Sequence, residues 1–318
     1  MRHAPIPAFP RRRRKEARIV GAFLALLLHA VVSHATGLAF LKVCPESAAA
    51  GMGEGAAGGW QNALSPVDNP ALAPPDERWQ AAVTHSRWIF DTDYTALGFQ
   101  MPARGWSLGA DLRVLSIPDI ELRDDANPDP DGYYRVDDLA FGLRASAPLG
   151  KGLRGGAALR RVQEKINQEA SQGWIADLGL RWERPLQGAG SVPSSLALAM
   201  AARNLGYSSD FIDEAPEPPR TLSLGGEWRG RLPLAGWECG AQAELRHLKD
   251  DGAHLHLGLE TLPAAGLALR GGWLGGYDNR GATLGLGFAW RALRLDYAWL
   301  PFANGWADVH RFTFSFAM

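Results

Sequence analysis

The chain has 318 residues and a net charge of −1, which gives no basic or acidic excess of the kind a nucleic-acid surface needs. Its 46 % hydrophobic content comes with 37 glycines and 12 tryptophans, an odd mixture for a soluble enzyme but a normal one for a strand-built membrane protein with aromatic belts. A mean hydropathy of −0.15 excludes a bundle of membrane helices and leaves a barrel open, because only alternate residues of a barrel strand face lipid.

The run Arg11-Arg12-Arg13-Arg14-Lys15 precedes an apolar stretch, Ile19 to Val32, and then Ser33-His34-Ala35. A basic n-region, a short h-region and small residues before the cut site predict a secretory signal peptide over residues 1–35. Lys42 spoils a lipobox at Cys44, so export as a lipoprotein is not expected. Beyond Ala35 no apolar run has the length of a membrane helix, so any spanning is expected from strands.

The stretch Thr36–Pro75 is rich in Ala and Gly and has no sustained lipid-face pattern. It reads as a leader or, folded inward, as a small luminal plug; the plug is assigned to residues 36–78 and the transmembrane barrel to 79–318.

From Trp79 onward, segments of about ten residues alternate strictly and then turn. Trp106, Leu108, Ala110, Leu112 and Val114 oppose Ser107, Gly109, Asp111 and Arg113. Leu139, Phe141 and Leu143 oppose Ala140, Gly142 and Arg144; Leu255, Leu257 and Leu259 oppose His254, His256, Gly258 and Glu260. The predicted strands lie near 79–88, 92–101, 105–117, 134–147, 153–167, 171–185, 194–205, 220–230, 236–248, 253–262, 266–275, 281–290, 292–300 and 309–318. The predicted fold class is therefore all-β: an antiparallel transmembrane β-barrel of about 14 strands with a small N-terminal luminal plug. Long links such as Pro118–Tyr133 and Gly206–Pro219 alternate with tight turns such as Pro102–Gly105 and Pro263–Gly266, which places both termini at the periplasmic side.

One face of these strands is Leu, Trp, Phe and Ala, and the other mixes small residues with charges of both signs. The lumen-facing charges are expected to be Asp111, Arg113, Arg144, Asp177, Arg181, Glu227, Arg229, Glu244, Arg246, Arg270, Arg294 and Asp296. A soluble sandwich would show the inverse arrangement, with a β-branched inner face. The last strand, Arg311 to Met318, alternates to its end but closes on Met318 rather than an aromatic residue.

Several motifs resemble a known family. Phe40-Leu41-Lys42-Val43, Ala50-Gly51-Met52-Gly53 and Asn69-Pro70-Ala71-Leu72-Ala73 resemble the N-terminus of the PorV/PorQ family, distant relatives of FadL-type fatty-acid channels. His85-Ser86-Arg87-Trp88, Asn204-Leu205-Gly206 and Leu295-Asp296-Tyr297-Ala298 follow in the same order, so the resemblance covers nearly the whole mature chain. Cys44-Pro45-Glu46 and the missing terminal aromatic depart from the pattern. The resemblance implies a 14-stranded outer-membrane barrel with Asn69, Pro70 and Ala71 in a hatch. It implies a role as an accessory of type IX-like protein secretion, with translocon and cargo C-terminal domains as partners. The alternative it implies is a FadL-like channel for hydrophobic small molecules such as fatty acids.

No catalytic or cofactor-binding constellation emerges, so no enzyme activity, cofactor or metal is expected. His254, His256 and Glu260 share a strand face, but a metal site needs convergence from several strands, and they read as hydrogen-bonding lumen residues. Asp124-Asp125, Asp129 and Asp131 match no calcium-loop pattern and read as a solvated outer loop. Two cysteines, Cys44 and Cys239, make no disulfide framework, and Cys239 is expected to face lipid.

Overall fold

The computed structural model describes residues 37–55, 59, 61–74, 78–89, 91–123, 128–186, 193–211, 215–231 and 236–318. The signal-peptide assignment at 1–35, the end of the plug at Pro75 and the Asp124-Asp125 pair lie outside the described residues.

The alternating segments become strands β1 (Gln80–Arg87), β2 (Asp93–Ala103), β3 (Trp106–Leu122), β4 (Gly132–Gly150) and β5 (Leu153–Ile166). These continue into β6 (Glu169–Leu186), β7 (Ser194–Ser208), β8 (Thr221–Arg231), β9 (Glu238–Leu248) and β10 (Gly252–Ala264). The last are β11 (Leu267–Gly275), β12 (Ala282–Trp290), β13 (Leu293–Leu300) and β14 (Val309–Ala317). Each pairs antiparallel with its sequence neighbours, and β1 pairs β14 from Gln80↔Ala317 to Arg87↔His310. The result is a closed 14-stranded barrel with no unpaired edge. Trp79 and Met318 exchange backbone hydrogen bonds of 2.9 and 2.8 Å and extend the seam. The rim that carries them is called the terminal end below, and the opposite rim the loop end.

Turn chemistry supports the closure. Arg104 and Gly105 both adopt positive φ (52° and 84°) between paired Ala103 and Trp106, the two-residue hairpin geometry that matches strand twist. The outward positions form the apolar belt: Leu143, Leu178, Leu259, Phe288 and Trp273 are more than half exposed. No helix among the described residues is long and apolar enough to cross a membrane.

Several strands run further than the alternation implies, two of them through a local irregularity. β3 reaches Leu122 because Asp119, at φ 54°, absorbs a register shift between Ile117 and Ile120, and pairing with β4 resumes beyond it. β7 runs past Asn204 to Ser208; a bulge there sets Arg203 and Asn204 against Asp177 alone, so both side chains turn inward. Asn204 donates its backbone N–H to Asp177 at 2.7 Å and its Nδ2 to the Pro219 carbonyl at 2.9 Å. The motif expected to end the strand is thus a bulge within it.

Candidate functional site

The inward faces of the strands meet residues 37–74. This segment carries short helical turns at Ala39–Lys42, Ser47–Ala50 and Ser65–Val67, none long enough to stand alone, and its side chains are largely buried. Wall residues hold its backbone. Thr313 accepts from the Ser47 N–H (2.9 Å), Gln242 donates to the Met52 carbonyl (3.0 Å), and Arg246 donates to the Glu54 carbonyl (2.6 Å). His256 bonds the Gly53 carbonyl through Nδ1 (2.6 Å) and the Tyr277 hydroxyl through Nε2 (3.1 Å). His254 stacks on Tyr277 at 3.9 Å, so the histidine pair clamps the plug and a loop; no metal-holding group occurs among the described residues.

Asn69-Pro70-Ala71 forms a side-chain turn in which Asn69 Oδ1 accepts the Ala71 N–H at 3.0 Å. It sits against Gly156 and Gly179, where any Cβ would land on the Pro70 carbonyl or the Asn69 side chain.

Nine of the twelve charges expected in the lumen fall into two arrays on the inner wall. In the first, Asp111 accepts from Arg144 (2.8 Å) and Arg160 (3.1 Å), and Arg160 also pairs with Asp177. All four side chains are essentially dry, and Arg144 also reaches the Ala63 carbonyl of the plug. In the second, Arg181, Glu227, Arg229, Glu260, Arg270, Asp296 and Arg294 alternate in sign across β6, β8, β10, β11 and β13, with contacts of 2.6–3.3 Å. This belt lies near the terminal end and holds Gly59 (3.0 Å to Glu227) and Gln61 (2.8 Å from Arg294). Glu244 pairs with Arg246 at 2.9 Å, and Arg113 lies over the Phe40 ring at 5.9 Å. Beside the belt, Ala71–Pro74, Arg154, Arg181 and Arg229 line a cavity of about 460 Å³.

The sequence pattern missed Arg160, Arg203 and Arg311. Arg160 is hidden by adjacent Arg161, which makes the parity of β5 ambiguous, and Arg203 by the bulge; the alternation Arg311, Thr313, Ser315 could have revealed the third. Cys239 sits on the outer face beside Thr261, at 3.3 Å.

The lumen is not uniformly polar, contrary to the expectation from its charges. Tyr94 and Ala96 of β2, Leu115 of β3, Ala140 of β4, Val162 of β5 and Ile175 of β6 form an apolar strip on the inner wall. Leu38, Phe40, Leu41 and Leu64 of the plug cover it, with Ile117 packed alongside.

Burial also acts on the plug's own acids. Desolvation pushes the Glu46 carboxyl up to about 8, with Asp68 and Asp296 adding repulsion; hydrogen bonds from Ser65 (3.1 and 3.2 Å) oppose this. The Cys44 thiol is raised by burial and then by Asp68 and Glu54, so it is no nucleophile. Burial likewise raises the Tyr277 phenol to about 12.

A carboxyl raised from 4.5 to about 8 favours the docked plug fully below 4.5, and that advantage is lost as pH rises toward 8. The thermal midpoint of the purified protein is therefore expected to fall between pH 5 and pH 8, with an upper bound of about 5 kcal/mol from this group. Glu46→Gln should flatten the profile over the same window; an unchanged slope in the variant would assign the effect elsewhere.

No family model matches the chain, and no curated protein matches it. Solved structures do. The chain is similar to the toluene transporter TodX of Pseudomonas putida, with a TM-score of 0.53 and 14 % identity, covering 85 % of this chain and 96 % of that one. It is similar to the toluene transporter TbuX of Ralstonia pickettii, with a TM-score of 0.53 and 11 % identity over 86 % and 97 %. It is also similar to the monoaromatic hydrocarbon channel CymD, with a TM-score of 0.51 and 13 % identity over 89 % and 98 %. At these identities the likeness establishes the fold alone, a closed 14-stranded antiparallel barrel.

Proposed function

We propose that the protein admits hydrophobic small molecules across an outer membrane, through the lumen and past the N-terminal plug. The observation that carries this reading is the apolar strip on β2–β6, covered by Leu38, Phe40 and Leu41. A lumen built only to pass water and ions would be polar throughout. An apolar strip instead offers a hydrocarbon part of the burial it loses on leaving lipid. The similar structures include toluene transporters and a monoaromatic hydrocarbon channel, which supports the same chemistry. The uncharged aromatic hydrocarbon toluene is accordingly the first probe, and the reading is tested by its uptake into vesicles with a lipopolysaccharide outer leaflet, because a plain phospholipid bilayer lets toluene through unaided. Protein-containing vesicles should fill faster than empty ones; equal rates would reject the proposal.

A second reading, an accessory of type IX-like secretion, is favoured by the PorV/PorQ-like motifs around Phe40, Gly51 and Asn69. It requires a giant translocon and C-terminally signalled cargo in the same genome. Their absence, together with toluene uptake, would remove it.

A further inference from the structure

Most buried arginines of the lumen touch a carboxylate: Arg144, Arg160, Arg203, Arg246 and Arg270 all do. Arg113 and Arg311 do not touch one among the described residues, although they are only 2 % and 0 % exposed. Arg311 donates Nη1 to the Cys44 carbonyl and lies over the rings of Trp88 (5.0 Å) and Tyr94 (5.7 Å). Its Nε and Nη2 are buried without a partner, as are Arg113 Nε, the Tyr94 hydroxyl and the Ser86 hydroxyl.

The barrel seam puts these groups together. Ser86 on β1 is the register partner of both Arg311 on β14 and Tyr94 on β2. Tyr94 pairs with Leu115 on β3, one inward position from Arg113. Four neighbouring strands thus turn two guanidiniums and two hydroxyls to the same part of the lumen wall. Every orphaned atom in the group is able to donate a hydrogen bond. A buried guanidinium with unpaired N–H groups and no carboxylate in contact carries an unmet desolvation cost, and several such donors on one part of the wall are what an anion needs. The neighbouring surface is apolar: Phe40 lies under Arg113, and Leu38 and Leu41 continue the same cluster. That surface suits a weakly hydrated, singly charged ion better than a multiply charged one.

We propose that Arg113, Arg311, Tyr94 and Ser86 form a binding site for one small monoanion, either a halide from solution or the carboxylate of a small organic acid. The site lies where Cys44 of the plug meets the barrel seam, so an occupying anion also helps hold the plug. This inference does not depend on the transport reading; it concerns what satisfies the unpaired donors of two buried guanidiniums.

The test uses the full chain, refolded in detergent at constant ionic strength in sodium isethionate, a bulkier anion. Sodium bromide and sodium benzoate are titrated separately and the thermal midpoint is read. At about tenfold the dissociation constant, a bound anion should raise the midpoint by about 3 °C, saturably. The Arg311→Gln variant should lose that rise while keeping its fold. A response to bromide alone identifies a halide site, a response to benzoate alone a carboxylate site, and a response to both a site reading charge and size. No response to either, or the same response in Arg311→Gln, overturns the proposal. If that variant does not fold, wild-type crystals soaked in bromide decide. An anomalous peak bounded by Arg113 and Arg311 supports the site; no bromide there, together with no benzoate there in benzoate-soaked crystals, overturns it.

Discussion

Replacing Asp111 by asparagine is expected to destabilise the barrel by about 3–5 kcal/mol, the usual cost of removing one partner from a buried ion pair. Asp111 accepts from Arg144 at 2.8 Å and from Arg160 at 3.1 Å, and all three side chains are at most 1 % exposed. Asparagine keeps the shape and removes the charge, so both guanidiniums lose most of their compensation at once. Asp177 holds Arg160 on its other side but does not reach Arg144. Arg144 also supports the plug through the Ala63 carbonyl, so the loss should spread from wall to plug. The measurement is the urea midpoint followed by tryptophan fluorescence, with Asp137→Asn as the contrast. Asp137 pairs with Arg135 at 3.2 Å but is 40 % exposed, and its loss should cost about 0.5 kcal/mol or less. Equal effects of the two substitutions would show that the inner array carries no special weight.

The second large effect should come from Gly272→Leu. A Cβ at Gly272 would sit 2.5 Å from the Met52 carbonyl carbon, so it meets plug backbone rather than a side chain able to swing away. The Met52–Glu54 turn would have to leave the wall. It would give up the bonds from Gln242 (3.0 Å) and Arg246 (2.6 Å), the His256 contact (2.6 Å) and the Arg280–Glu54 pair (2.5 Å). Glu54 at φ 58° and Gly53 at φ 72° fix the turn tightly, which leaves little room for a smaller adjustment. In planar bilayers the wild-type barrel should be nearly silent, while the variant should show frequent large openings. The adjacent Gly271→Ala is the control, because its Cβ meets only Leu284 at 3.9 Å. Silent traces from Gly272→Leu would mean that the plug absorbs the wedge without leaving its seat.

Much of this architecture was legible in the alternation of the strands. Leu255, Leu257 and Leu259 set against His254, His256 and Glu260 define two faces whatever the partner strands are, because successive strand residues point to opposite sides. The positions of Asp111, Arg144 and Asp296 followed from the same parity. What was hidden depends on three-dimensional closure. The inward turn of Arg203 needs the β7 bulge, which local alternation cannot reveal. The apolar strip is assembled from one or two residues on each of several strands, too few to change the pattern of any one segment. The pairing of Glu46 with Ser65, and of Gly59 with Glu227, belongs to a segment with no periodicity to read. The Asn69-Pro70-Ala71 turn was visible as a motif, whereas its glycine seat at Gly156 and Gly179 could be found only from contact across the lumen.

The central claim is that hydrophobic molecules cross through a lumen gated by the N-terminal segment. It is tested most directly by tying that segment to the wall. Ser47 and Thr313 face each other with hydroxyls 2.8 Å apart, so Ser47→Cys with Thr313→Cys, in a Cys44→Ala and Cys239→Ala background, places a reducible tether between plug and β14. Toluene uptake into vesicles with a lipopolysaccharide outer leaflet should fall to the empty-vesicle rate when the tether is oxidised and recover on reduction. Uptake that is the same in both states would contradict passage through a plug-gated lumen.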